Sequence, residues 1–213
     1  NNNDSKGKRL MKLYTSIGPN PHVVRMFMAE RGITLPTQEV DIVKGENLGE
    51  PYLSVNPAAQ SPALELDDGS IITEIWPICE YLDETHTGDS LFGANPEERA
   101  QTRRWTRWVD LNVLDPMTNG FRFSEGLAMF KDRTRCLPDA APGLKARAQD
   151  KLKFLDGQLA SRAYIAGDIF TFADIMLFCF QTFGNQVGQP LNPAFQNVTA
   201  WFEKVGARPS ASV

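Results

Sequence analysis

Residues 56–82 read NPAAQSPALELDDGSIITEIWPICEYL, and the fold is decided here. Two short strand-forming runs, Ala63–Leu66 and Ser70–Thr73, flank Asp67-Asp68-Gly69. Those turn residues favour a tight reversal, so the spacing predicts a β-hairpin. Directly after it Ile75, Ile78, Cys79 and Leu82 recur at the period of one helix face. The segment therefore predicts a hairpin that feeds a helix.

Toward the N-terminus, Glu46–Val55 is a polar connection that admits a helix, and Thr37–Val43 alternates as a strand does. Before that, Val23, Val24, Phe27 and Met28 share a helical face that Gly32 ends. Asn20 is suited to cap this helix and Pro21 to open it, because proline is best tolerated at the first helical position. Lys12–Ser16 is a short β-prone run, broken by Gly18-Pro19-Asn20-Pro21. The order is β-α-β-(α)-β-β-α, a thioredoxin-like α/β arrangement.

Toward the C-terminus, Gly88, Gly93 and Pro96 mark a linker, and everything beyond reads as helix. Glu97 to Asp115 carries RRWTRWVD. Leu144, Ala148, Leu152, Leu155 and Leu159 form one apolar stripe, and Ala173–Phe183 is apolar on nearly every side, as in a buried helix. Val198, Phe202 and Val205 mark a last short helix. The predicted organisation is a tail at 1–10, a thioredoxin-like domain at 11–86, a linker at 87–95 and an all-helical domain at 96–213.

Composition narrows the function. The 213 residues are 42% apolar and 23% charged, ordinary for a soluble globular chain, and the net charge of −4 gives no basic excess for nucleic acid. No apolar stretch approaches the ~18 residues that span a bilayer. The three cysteines, Cys79, Cys136 and Cys179, have neither metal-ligand nor CxxC spacing, which predicts a reducing, cytoplasmic setting and no metal site.

Four segments resemble the cytosolic glutathione transferases. Asn56–Leu64 is similar to that family's NPxGxxPAL segment, whose last proline follows a cis bond. Asp67-Asp68-Gly69 with Thr73-Glu74 resembles its DDG…(T/S)E stretch. Ile78–Leu82 resembles AIxxYL, and Gly167-Asp168 with Thr171–Asp174 resembles GDxx(S/T)xAD. The resemblance spans residues 11 to about 208. It implies glutathione as co-substrate, a homodimer (a habit with which Arg25 is associated) and a two-domain fold.

The resemblance also assigns roles. Ser61, before Pro62, pairs its main chain with the glutathione cysteine. Glu74 meets the γ-glutamyl amine. Here the chain departs from the pattern, because Ile75 stands where a serine or threonine is usual and offers only its N–H. Gln60 and Lys44 are candidates for the glycine carboxylate, Lys44 being equally readable as a solvated charge. The thiolate falls to Asn20 or Ser16. Tyr14 lies within the strand and reads as core. The Pro19-Asn20 pair resembles the bacterial Nu-type transferases, although Gly18 replaces their threonine. No cysteine lies in this loop, so a thiol mechanism through a protein cysteine is not expected.

For a second substrate the helical domain offers Arg104, Trp108, Met117 and Phe121, aromatic and apolar groups beside a cation that suit a small hydrophobic electrophile. Taken singly each reads rather as core, surface or dimer contact; only as a group are they equally readable as a substrate site. Thr171 and Asp174 read as a capping box. Three activities stay open: transfer of glutathione to an electrophile, reduction of disulfides or peroxides by two glutathiones, and non-catalytic binding.

Overall fold

The computed structural model describes residues 10–213; most of the tail read at 1–10 lies outside them. These residues form two compact units, one ending at Gly88 and one running from Asp89 to Ser212.

The first unit is built on strands β1 (Lys12–Thr15), β2 (Thr37–Glu39), β3 (Ala63–Glu65) and β4 (Ile71–Thr73), in the order β2-β1-β3-β4. β1 runs parallel to β2, and the β1–β3 and β3–β4 pairs are antiparallel. Strand side chains alternate between faces. Tyr14 and Ala63 therefore share one face, where they cluster with Val40, Tyr52, Ile42, Val55 and Ile71. Tyr52 and Val55 come from the short helix α2 (Tyr52–Val55). Helices α1 (Pro19–Glu30) and α3 (Ile75–Thr85) pack together and contribute fully buried Val23, Phe27, Ile78 and Leu82. Each such side chain contributes about 1.5–3 kcal/mol on leaving water.

β2 stops at Glu39, short of the predicted Val43. The Asp41 carboxylate accepts from the N–H of Val43 (3.1 Å) and Lys44 (3.0 Å), which turns the chain where a strand would continue. At the far ends of α1 and α3, the buried Arg31 and Asp83 form an ion pair at 3.0 Å. Arg31 also donates to the carbonyl of His86 and so fixes the exit of the unit.

The second unit is helical: α4 (Pro96–Val109), α5 (Asp115–Arg122), α6 (Leu127–Phe130), α7 (Ala141–Leu159), α8 (Phe172–Gln186) and α9 (Gln196–Gly206). Between α4 and α5 the backbone widens into a π-helical segment, Asp110–Leu114. Pro116 accounts for it, since a proline inside a helix removes one backbone donor and crowds the preceding turn. Part of the stretch read as linker is packed here. Leu91 accepts from the N–H of Phe172 at 2.9 Å, and Phe92 stacks on the Phe172 ring at 4.8 Å.

α8 is buried along Phe172–Gln181, as its all-round apolar pattern predicts. Its start is the predicted capping box, with the Thr171 N–H donating to Asp174 Oδ2 at 2.9 Å and the Thr171 hydroxyl at 3.2 Å. The other oxygen of Asp174 accepts from the N–H of Ile165 (3.0 Å) and from Trp201 Nε1 (2.8 Å). Burial pushes this carboxyl above its usual range, while the four donors pull the other way. Trp201, rather than Phe202, sits on the buried stripe of α9.

Candidate functional site

Strand register gathers one end of the sheet. Tyr14 pairs with Ala63, which pairs with Thr73, and Thr15 pairs with Glu39. The loop after β1, the Ser61-Pro62 corner before β3, Glu74 after β4 and the Asp41–Lys44 turn after β2 thus leave the same edge. Adjacent strands lie about 4.8 Å apart, so β1, β3 and β4 together span about 10 Å there. That span matches a small peptide laid across three strand ends.

In the β1–α1 loop, Ser16 is buried and its hydroxyl donates to the carbonyl of Ile17 at 3.0 Å. Arg25 reaches back from α1, with Nη1 3.2 Å from Thr15 Oγ1 and 3.1 Å from the Ser16 carbonyl. The guanidinium associated above with dimerisation is thus engaged on its own unit's loop. Gly18 sits at φ 110°, open to glycine and strained for other residues, and it, not Asn20, occupies the cap position. The helix starts two residues earlier than expected, at Pro19 rather than Pro21. Asn20 therefore lies inside the first turn, half-buried, and its amide has no hydrogen-bond partner among the described residues. Tyr14 is core, as predicted, and donates to Glu65 Oε2 at 2.8 Å.

The Ser61-Pro62 bond is cis, as the resemblance implies; Glu50-Pro51 is also cis. Three buried side chains hold the loop before Ser61. Tyr52 OH (2.6 Å) and Asn56 Nδ2 (2.8 Å) both donate to the Gln60 carbonyl, and Asn47 Nδ2 donates to the Ala59 carbonyl at 2.7 Å. Ala59 itself is at φ 57°. Burial pushes the Tyr52 phenol up to about 12, so it remains a donor at any physiological pH. The Ser61 hydroxyl is buried beside the Tyr52 phenol, with no hydrogen bond of good geometry among the described residues, and the Gln60 side chain is exposed.

Glu74 adopts φ 71° and ψ 135°, an unfavourable backbone for a residue with a side chain. Such a conformation costs about 1–3 kcal/mol and persists where the surroundings impose it. Its carboxylate is exposed and makes no capping bond to α3. Ile75 follows as the first helical residue, buried, with its N–H at the start of α3. Lys44 is 80% exposed and pairs with Asp41 at 3.0 Å, a contact that raises the lysine and lowers the aspartate in pKa.

In the helical unit, Arg104 is exposed and lies over the Trp105 ring at 4.8 Å. Trp108 is half-buried against Trp105 and Phe154. Phe121 belongs to another aromatic group, edge-on to Phe130 and Phe183. Met117 is fully buried, and a Cβ on Gly184 would approach its sulfur to 3.1 Å. It is a core side chain rather than the pocket lining expected of it. The two aromatic groups leave Arg104, Trp108 and Phe121 as the accessible members of the predicted set.

Comparison with known proteins converges on the same assignment. The model of the glutathione S-transferase N-terminal domain matches residues 17–85, and that of the C-terminal domain matches residues 139–209. Glutathione S-transferase 2 from Saccharomyces cerevisiae is 30% identical over 215 residues, covering 98% of this chain and 91% of that protein. The chain belongs to the glutathione S-transferase family.

Among solved structures of the family, a glutathione S-transferase domain-containing protein from Marinobacter aquaeolei VT8 superposes with a TM-score of 0.88 at 34% identity, covering 94% of this chain and 99% of that one. Gtt2 from Saccharomyces cerevisiae gives 0.85 at 28%, covering 94% and 98%. Members of the family use glutathione as co-substrate, and the residues at the sheet edge suit its chemistry. Among the described residues the exposed Glu74 carboxylate and the Asn20 amide have no hydrogen-bond partner, and the loop held by Tyr52 and Asn56 presents Ser61 before the cis proline. Sequence reasoning missed Tyr52 and Asn47, and the loop contacts of Arg25, since these side chains act on main-chain carbonyls (Arg25 also on the Thr15 hydroxyl) and leave no sequence pattern. Asn56 stood in the quoted motif, but its role required the loop's fold.

Proposed function

We propose that this family member binds glutathione along Gln60-Ser61-Pro62 and Glu74 and holds its sulfur as a thiolate with the Asn20 amide. A free thiol has a pKa of about 8.5, and lowering it by two units takes roughly 2.7 kcal/mol of differential stabilisation. A donor aimed at the sulfur near a helix N-terminus supplies energy of that order. Asn20 is favoured over Ser16 because its NH2 is uncommitted, whereas the Ser16 proton already serves the Ile17 carbonyl.

In the reaction the thiolate sulfur forms a bond to an electrophilic carbon, the leaving group departs with the bonding electron pair, and the thiol proton has gone to solvent. Arg104, Trp108 and Phe121 are the helical unit's candidates to meet the second substrate. Gln60 is the first candidate for the glycine carboxylate, since Lys44 would exchange its Asp41 contact to take it. Ile75 contributes its N–H to the γ-glutamyl carboxylate. We assign the chain to a cytoplasmic, homodimeric, detoxifying role on the family pattern.

The observation that carries this reading is the Asn20 amide in the first turn of α1, without a hydrogen-bond partner among the described residues, and Asn20→Ala tests it. Ultraviolet absorbance of bound thiolate, titrated against pH, should move upward by at least one pH unit in the variant, from loss of one donor to a charged group. An unmoved titration would transfer the role away from Asn20. A disulfide substrate in the same assay examines the reductase reading. In that reaction two glutathiones supply the electron pair, two thiols are released from the substrate and glutathione disulfide forms.

A further inference from the structure

Arg25 does something that neither its place on α1 nor the family's activity requires. Its Nη1 turns back to bind the Thr15 hydroxyl and the Ser16 carbonyl, where β1 passes into the loop that leads to Asn20. A carbonyl held by a guanidinium fixes its peptide plane. The Ser16–Ile17 peptide is trans, so its N–H points opposite to its C=O. With the carbonyl held by Arg25 Nη1, the Ile17 N–H points away from that guanidinium. Neither it nor the Gly18 N–H has an acceptor among the described residues. Ile17 itself is 60% exposed, so this part of the loop faces solvent. The first-turn N–H of Asn20 likewise has no intrahelical acceptor.

We propose that Arg25 is the positioning residue of the thiolate site. By locking the Ser16 carbonyl, it aims the Ile17 N–H at the glutathione sulfur beside the Asn20 amide, next to the Gly18 N–H of the following peptide, whose carbonyl is held by the Ser16 hydroxyl. The proposal rests on the thiolate reading above. Its chemistry is that of converging backbone donors, which stabilise an anion only while their planes are held still. A neutral loop with free planes would reorganise around the charge and lose that advantage. The bonded guanidinium also draws charge from the Ser16–Ile17 peptide, which strengthens its N–H as a donor.

The test uses Arg25→Gln and Arg25→Lys in the full chain, with three readouts: titration of bound glutathione by thiolate absorbance, kcat/KM with a reactive aryl halide, and binding of S-methylglutathione, which has no thiol to ionise. Arg25→Gln should move the thiol titration upward by about one pH unit and lower kcat/KM about tenfold below that titration. S-methylglutathione binding should stay within about twofold, because its thioether carries no charge to stabilise. Arg25→Lys, whose ammonium offers three donors from one nitrogen, should return most of the loss. An unmoved titration in Arg25→Gln, or a fall in activity matched by weaker S-methylglutathione binding, overturns the proposal. Should Arg25→Gln not fold, Arg25→Met is titrated instead; failure of both to fold overturns the proposal too, since Arg25 would then support the fold. Wild-type protein that binds neither ligand removes the thiolate reading itself, a different result from binding with an unshifted titration.

Discussion

Replacing Asp174 by asparagine should cost the helical unit a large part of its stability. The side chain is fully buried and both oxygens are used: one accepts from Ile165 N–H and Trp201 Nε1, the other from the Thr171 N–H and hydroxyl. An asparagine has one acceptor oxygen; its NH2 faces two donors if turned toward Ile165 and Trp201, but only the N–H if turned toward Thr171, whose hydroxyl can rotate to accept. The better arrangement still strands the Thr171 N–H, a bond to a charged group worth about 1.5–3 kcal/mol, and leaves the other bonds neutral, while relief from burying the charge offsets part of that. The balance is a loss of about 2–4 kcal/mol, with roughly a 10 °C fall in Tm for a chain of this length. Urea unfolding followed by far-ultraviolet circular dichroism measures it, with the slope against urea unchanged because the same surface is exposed. Because the box contributes no group to the proposed glutathione site, glutathione affinity extrapolated to native protein should not change. A stability loss below about 1 kcal/mol would refute the reasoning, for it would mean that the donors find other partners at little cost.

Three further outcomes follow from the sheet-edge unit and from one surface pair. Glu74→Gly relieves a positive φ and should raise stability by about 1 kcal/mol while glutathione affinity falls; melting and calorimetry on the same sample check both signs. Tyr52→Phe removes one of the two donors on the Gln60 carbonyl, and should weaken glutathione about three- to tenfold by calorimetry while Asn56 keeps the loop in register. Glu125 is held down to about 2, first by Lys145 and then by Ser124. A lowered folded-state pKa stabilises above the ordinary value of 4.5, and that stability is lost as pH falls through about 2. Lys145→Met should therefore flatten the acid limb of a Tm-against-pH curve, modestly, because the Glu125 carboxylate is 44% exposed.

The parts of the fold that were legible are those in which local pattern and burial agree. The hairpin around Asp67-Asp68-Gly69, the α3 stripe, the buried α8 and its capping box all follow from period and turn chemistry. Failures came where a side chain competes with the backbone or where tertiary packing decides. Asp41 ends β2 by taking the next amides for itself. Gly18 starts α1 early, which turned Asn20 from a presumed cap into a free amide. Met117 has the chemistry of a pocket lining, yet Gly184 leaves room for it in the core. At the site, Pro62 and Glu74 could be read from motif and order. Tyr52, Asn47 and Arg25 could not, because they act on carbonyls that approach only after the chain has folded.

The most direct measurement of the central claim is glutathione binding by calorimetry on the wild type and on Glu74→Ala, with glutathione disulfide as a parallel ligand. The account predicts saturable binding by the wild type and at least tenfold weaker binding by the variant, from loss of one carboxylate–ammonium contact. Wild-type protein that takes up neither form at millimolar ligand, or a Glu74→Ala variant that binds glutathione as tightly as the wild type, would contradict it.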